Sequence, residues 1–289
     1  MALAASGTSS GDAGSAPAPT RPFVVVTGGS EGIGFAIAER FAAKGRCLLL
    51  VARRPDALDA AAAQLRSRHA VDVATLSLDV ARPDAPHALD EALGSLGAHC
   101  DILVNSAAIG HCGSFADAGP DALDDLVALN VAAPTRLMRH VLPGMRSRRG
   151  GGIIMVCSLA ALVPGPYQAA YYASKAYLLS LSEAVAAEVK GDGVRITAVV
   201  PGPVETRFHA RMQAEGALYR RLFPSASPAS VARWTVLGYE MAVRVVVPGL
   251  LDMIASVGLR ILPHALVIPL MAMLLDPRRP IEKGAASDV

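Results

Sequence analysis

The chain has 289 residues, 52% hydrophobic and 18% charged, with 27 basic and 25 acidic side chains. That composition supports a substantial core and excludes disorder of the whole, which needs low hydrophobicity and high net charge. A net charge of +2 and an aromatic content of 4% give no footprint for nucleic acid and no platform for stacked bases.

Residues 1–21 are small residues with Gly, Ser and Pro and read as a disordered tail, without the basic start and apolar stretch of a signal peptide. Residues 23–27 form a short β-branched apolar strand. Gly28, Gly29, Gly32 and Gly34 follow, then a helix over 33–44 that Gly45 closes. Strands are predicted at 47–51, 73–78, 102–104, 153–157 and 194–200, and helices at 56–69, 84–96 and 168–190. One long helix is predicted from about 121 to 146, with Pro134 and Pro143 to accommodate. Ser227 and Pro228 open a further helix as N-cap and first-position proline, and 243–247 reads as a seventh strand.

Strands alternate with helices, and the strands are continuous apolar runs, as expected when both faces are covered. The fold class predicted is α/β: a Rossmann-type doubly wound parallel sheet of about seven strands with helices on both faces. It occupies 22–248, and 249–289 is an apolar helical C-terminal extension. No residue from 261 to 275 is formally charged, yet the run is shorter than the ~20 residues a span needs, and Pro263 and Pro269 interrupt it. Two readings of this end stand. Leu250, Leu251, Ile254, Leu259, Ile261 and Leu262 pack on the sheet edge or on a second subunit. Alternatively, Leu266, Val267, Ile268, Leu270, Met271, Met273 and Leu274 form an exposed apolar face that lines the entry of a lipophilic substrate or rests weakly on a membrane surface, with Arg278, Arg279 and Lys283 toward anionic headgroups.

In a parallel sheet of this kind, ligands bind along the strand C-termini. The residues there are Thr27, Ala52, Asp79, Asn105, Ser158 and Pro201. The glycine turn between strand and helix lets backbone approach a pyrophosphate, and the helix N-terminus offers free N–H groups. Tyr171 and Lys175 stand four apart on a helix and share a face. A neighbouring ammonium stabilises a phenolate and lowers the tyrosine pKa toward neutrality. Ser158 ends a strand thirteen positions earlier, where its hydroxyl can bond a substrate carbonyl while Tyr171 donates a proton. Asn130 either satisfies local backbone or holds a water linked to Lys175. Where an acidic residue binds the ribose hydroxyl of NAD, this chain has Ala52 followed by Arg53 and Arg54, which suit the 2′-phosphate of NADP. Glu31 inside the turn argues the other way. Cys47, Cys100, Cys112 and Cys157 lack metal-site spacing and read as free thiols of a reducing, cytoplasmic compartment. No metal is expected. The arginines from 136 to 149 read as a solvated helix face. His111 is a minor candidate for a substrate contact, and Tyr167 and Tyr172 are expected to shape the pocket.

The pieces Thr27-Gly-Gly-Ser-Glu-Gly-Ile-Gly34, Asp79, Asn105-Ser-Ala-Ala108, Asn130, Ser158, Tyr171-x-x-x-Lys175 and Pro201-Gly-Pro-Val-Glu-Thr206 occur in this order. In these motifs the chain resembles the short-chain dehydrogenase/reductase family, ordinary non-extended type. The resemblance implies a catalytic tetrad of Asn130, Ser158, Tyr171 and Lys175. It also implies cofactor contacts at Thr27, Gly28, Ser30, Gly32, Ile33, Gly34, Asp79, Val80, Asn105, Ala107, Pro201, Gly202, Val204 and Thr206, besides Tyr171 and Lys175. Lys175 would hold the nicotinamide ribose, Asp79 the adenine end and Thr206 the nicotinamide amide. Residues 204–221 correspond to the lid that sets substrate choice in look-alikes. Ser106 and Ala108 depart from the family's usual Asn-Asn-Ala-Gly. The function implied is a carbonyl reductase or alcohol dehydrogenase with NADP(H) favoured and NAD(H) admitted, acting on a lipophilic small molecule as a homo-oligomer. The alternative is a catalytically silent NADP-binding module that senses redox state or scaffolds a complex.

Overall fold

The computed structural model describes residues 20–212, 218 and 224–277. Seven parallel strands form one sheet in the order β3-β2-β1-β4-β5-β6-β7. They are β1 (Arg21–Thr27), β2 (Cys47–Ala52), β3 (Val73–Ser77), β4 (Ala98–Asn105), β5 (Gly152–Val156), β6 (Arg195–Val199) and β7 (Val245–Val246). The strand order reverses between β1 and β4, so the crevice of a doubly wound sheet opens there. Thr27 pairs in register with Val51 on one side and Asn105 on the other.

Alternation along β1 separates the two cores. Phe23 and Val25 face α3 (Ala85–Ser95), α5 (Ala133–Arg148) and α6 (Ala169–Glu188), meeting Leu89, Met145 and Leu178. Val24 and Val26 face α1 (Gly32–Ala42), α2 (Pro55–Arg68) and α8 (Pro228–Glu240), meeting Ile37, Leu58 and Val236. The central strands β1, β2 and β5 are apolar on nearly every residue because both faces are covered. Ser227 caps α8 by accepting from the Ser230 N–H at 3.2 Å, with Pro228 in the first turn. A short α7 (Phe208–Arg211) follows β6.

One prediction is corrected. The helix expected over 121–146 is α4 (Pro120–Val127) and α5 joined by a π turn, Ala128–Ala132. Pro134 has no N–H to offer the Asn130 carbonyl four residues earlier, and its ring crowds that carbonyl. Widening the turn, with the Ala133 N–H on the Ala128 carbonyl, relieves the clash. The fourth strand is longer than predicted, and the seventh shorter.

The C-terminal end forms two helices, α9 (Leu250–Ile261) and α10 (His264–Leu275). No helix among the described residues is long and apolar enough to cross a membrane. Within the single chain neither group of residues lies wholly inward or wholly outward. Of the first group only Leu259 packs inward, and Leu250, Leu251, Ile254 and Ile261 are between 61% and 75% exposed. Of the second, Val267 and Leu274 are buried and Met271 is partly so, while Leu266, Ile268, Leu270 and Met273 face outward. Each helix therefore contributes to both an inner seam and an outer apolar surface. Arg278, Arg279, Lys283, most of the predicted tail and much of the predicted lid lie outside the described residues.

Candidate active site

The strand ends that meet at the crevice are tied by Thr27. Its hydroxyl accepts from the Ser106 and Ala107 N–H groups at 3.1 and 3.3 Å and donates to the Val104 carbonyl. The glycine turn is packed to its limit against this tie. Gly28 has φ +67°, and a Cβ there would lie 3.0 Å from Ala107. A Cβ on Gly34 would lie 2.4 Å from the Gly28 carbonyl, so side chains are excluded at both positions. Glu31 is the N-cap of α1, yet its side chain makes no capping bond, so the helix's first N–H groups open toward the crevice. Asn105 is 6% exposed, and its Nδ2 has no hydrogen-bond partner among the described residues. Such a donor is costly unless something outside the protein meets it.

On the other side of the crevice, Lys175 is 4% exposed and its Nζ donates to the Val156 carbonyl at 3.0 Å. The same Nζ lies 5.7 Å from the centre of the Tyr171 ring. Burial pulls the Lys175 pKa down to about 8. The Cys157 thiol nearby is pushed up to about 12 by its own burial, so it is neutral at pH 7 and offers the ammonium no counter-charge. Phe208 lies over Tyr171 at 5.4 Å between ring centres, and Tyr172 meets it edge-on at 6.1 Å. Ser158 follows β5, its Oγ accepting from the Ala160 N–H at 3.2 Å and lying 3.4 Å from the Pro201 carbonyl.

Asn130 works through backbone. Its Oδ1 accepts from the Ile109 N–H at 2.9 Å, and its Nδ2 donates to the Ile109 carbonyl at 2.7 Å and to Ser174 Oγ at 3.2 Å. Both amide ends are thus spent on fixing the loop after β4 and the helix that carries Tyr171. These partners are distant in sequence, Ile109 by 21 residues and Ser174 by 44, so the side chain does not satisfy its local backbone.

The other predicted contacts fall along the same edge. Asp79 accepts from the Ala81 N–H within its own turn, and Val80 beside it is buried. Thr206 packs on Gly32, whose φ is +60°. Val204 bridges to Ala226, Ser30 and Ile33 are half-buried in the turn, and Arg53 and Arg54 stand exposed after β2. Gly202 differs in its partner. Its N–H donates to Asp252 of α9 at 3.1 Å, tying the extension to the β6 end. His111 sits in the loop fixed by Asn130, with a buried Nε2 that meets no protein partner. Sequence reasoning missed Asp252, Glu31's partners and the wall formed by α9 and α10 together. There Val267, Leu275 and partly buried Leu259 and Met271 pack with Ala160, Val163, Tyr172 and Tyr171. A separate depression of about 550 Å³ lies at the opposite end of the sheet, lined by Phe41, Arg46, Asp101 and Tyr239, away from these groups.

The family model described as short chain dehydrogenase matches residues 22–216. The chain belongs to the short chain dehydrogenase family. Among its relatives is a very-long-chain 3-oxoacyl-CoA reductase of Laccaria bicolor, 35% identical over 178 residues, which are 60% of this chain and 52% of the relative. The chain spans about half to two thirds of the length of the curated relatives it matches. Two solved structures share the fold. A short-chain dehydrogenase from Sphingobium yanoikuyae in complex with NADPH is 30% identical with a TM-score of 0.73, covering 84% of this chain and 97% of that one. L-sorbose reductase from Gluconobacter frateurii, complexed with NADPH and L-sorbose, is 33% identical with a TM-score of 0.69, covering 80% and 97%.

Proposed function

We propose that this chain is an NADP(H)-preferring oxidoreductase that reduces a carbonyl, or oxidises the matching secondary alcohol, on a lipophilic substrate. Residues 22–248 are its catalytic domain and 249–289 an extension of it. The observation that carries this reading is Lys175, buried beside Tyr171 without an ion-pair partner among the described residues, at the edge where the glycine turn opens.

The residues fit a dinucleotide. The turn leaves no room for side chains, the first turn of α1 is uncapped, and Asn105 presents a buried donor without a partner among the described residues. Arg53 and Arg54 follow β2 where a carboxylate would read an unmodified ribose. NAD(H) is admitted at lower affinity. Bound nicotinamide supplies or accepts the hydride at the substrate carbon. In the reductive direction Tyr171 gives its phenolic proton to the carbonyl oxygen, while Ser158 Oγ donates a hydrogen bond to that oxygen. The Lys175 cation stabilises the phenolate that remains until a proton returns. Asn130 is a positioning residue, holding Ile109 and Ser174 in place.

The wall of Leu259 and Met271 beside Tyr171 supports an apolar substrate. The family's members act on molecules as different as acyl thioesters and a sugar, so this chain's own wall decides its choice. The outer face of α9 and α10, with Leu250, Leu251, Ile254, Ile261 and Leu266 more than 60% exposed, supports weak peripheral contact with a membrane surface or a second subunit. The test is a screen of NADPH oxidation from short polar ketones to long-chain acyl ones, with liposome co-sedimentation. Rates rising with chain length, and lipid binding lost in a chain ending at Pro263, are expected. Highest turnover on short polar ketones overturns the substrate assignment. Tight NADPH binding without turnover of any carbonyl favours a silent binding module.

A further inference from the structure

The polar residues of α9 turn toward the strand ends rather than toward solvent. Asp252, Ser256 and Leu259 stand four and three apart and so share one side of the helix, with Ser256 buried and Leu259 packed inward. Ser256 spends its hydroxyl within the helix, on the Met253 carbonyl. Asp252 reaches across, and its Oδ2 accepts from the Gly202 N–H at 3.1 Å. The carboxyl is half-buried and has no cationic partner among the described residues. Burial lifts it above the usual carboxylate range, and the Gly202 N–H opposes that shift. The peptide group it holds has a second end. The Pro201 carbonyl, in the same peptide group, accepts from the Leu159 N–H at 2.9 Å and stands 3.4 Å from Ser158 Oγ. One planar unit therefore joins Asp252 to Ser158. Glycine leaves this plane easy to turn, and it leaves the carboxyl room to sit against it, where a Cβ on Gly202 would collide with Asp252.

We propose that Asp252 is a positioning residue for Ser158: it clamps the Pro201–Gly202 peptide, whose carbonyl seats the turn at Ser158, and so makes the C-terminal extension a working part of the catalytic edge. The inference rests on the role given to Ser158 above. The carboxyl fixes the N–H of the peptide, and Leu159 and Ser158 meet its carbonyl. Without the carboxyl the Gly202 N–H is unmet, the plane turns to find water, and the carbonyl leaves the two groups it orders. Ser158 Oγ then loses the direction in which it donates to a substrate oxygen. The whole effect of Asp252 on turnover passes through Ser158.

The test is a mutant cycle on the full chain, with NADPH and the best ketone of the screen above. Asp252→Ala should lower kcat about tenfold while KM for the ketone changes by no more than about twofold. Asp252→Asn keeps an acceptor oxygen for the Gly202 N–H and should restore kcat to within about twofold of wild type. In a Ser158→Ala background the Asp252→Ala step should cost almost nothing more, because the residue it positions is gone. Equal losses in both backgrounds overturn the proposal. An unchanged kcat in Asp252→Ala, or an Asn variant as impaired as the Ala one, overturns it too. Thermal melts and NADPH titration establish that each chain is folded. Asp252→Ser, too short to reach Gly202, replaces Asp252→Ala if that chain does not fold. A wild-type chain that reduces no carbonyl overturns the catalytic reading, and this inference with it.

Discussion

Replacing Lys175 by Met should make the protein more stable and inactive at once. The side chain is 4% exposed, the buried Cys157 thiol nearby is neutral at pH 7, and it donates a hydrogen bond to the Val156 carbonyl. Burial lowers its pKa from 10.5 to about 8. At 1.36 kcal/mol per tenfold, holding that charge costs the folded state ~3 kcal/mol. Methionine removes the charge at similar length and forfeits one hydrogen bond worth about 1 kcal/mol, leaving a gain of roughly 2 kcal/mol. In a chain of this size that is a rise in Tm of ~4–8 °C. The sign of the pH dependence follows from proton counts. Between pH 8 and 10.5 the unfolded lysine is protonated and the folded one is not, so wild-type stability rises with pH through that window. The penalty is complete below about pH 8 and gone above about 10.5. Urea unfolding of both proteins at pH 7, 9 and 10.5 should show the variant ahead at pH 7 and the gap closing upward. A variant less stable than wild type by the same margin at every pH would refute the desolvation argument.

Tyr171→Phe should lower kcat by at least about 10²–10⁴ while NADPH affinity, read by fluorescence, stays within a factor of two or so. Tyr172, about 100° further round α6, should tolerate Phe; the reverse pattern sinks the assignment of the proton donor. Arg53→Ala should weaken NADPH about tenfold or more and NADH little, and equal losses in titrations would exclude a 2′-phosphate contact. Gly34→Ala drives a Cβ to 2.4 Å from the Gly28 carbonyl, so it should cost ~1–3 kcal/mol in urea melts and remove nucleotide binding. A stable, binding Gly34→Ala chain would show that the turn is looser than described.

The strands, the glycine turn and the Tyr171–Lys175 spacing were legible because each is written in neighbouring residues: apolar runs, missing side chains, a four-residue repeat. The site's edge followed from sheet geometry alone. What was not legible depends on contacts between distant segments. Asn130 was visible as a polar residue in an apolar helix, but its partner Ile109 is set by how the loop after β4 folds back. Pro134 was noted, and the widened turn it causes was readable from the missing N–H four residues on. Glu31 was seen as an acidic group in the wrong place for NADP, since Arg211 lies 180 residues away. The two C-terminal helices defeated a choice between inward and outward groups. In α10 almost every residue is apolar, and periodicity cannot sort faces without polar residues to mark them, while in α9 the polar Asp252 and Ser256 turn inward against the usual rule.

The π turn at Ala128–Ala132 has a consequence for length rather than composition. It is one extra residue wound into a helix. Deleting any one residue between Val127 and Ala133 would restore ordinary α-helical winding and leave a good helix by every local measure. The helices on either side would keep their relation, because the widened turn takes up the extra residue locally, but the side chains within 128–132 would move to new directions. Asn130 or its replacement would then point away from Ile109, and the loop carrying His111 would lose its anchor. In this segment a single codon lost in frame would disarm the site without unfolding the protein.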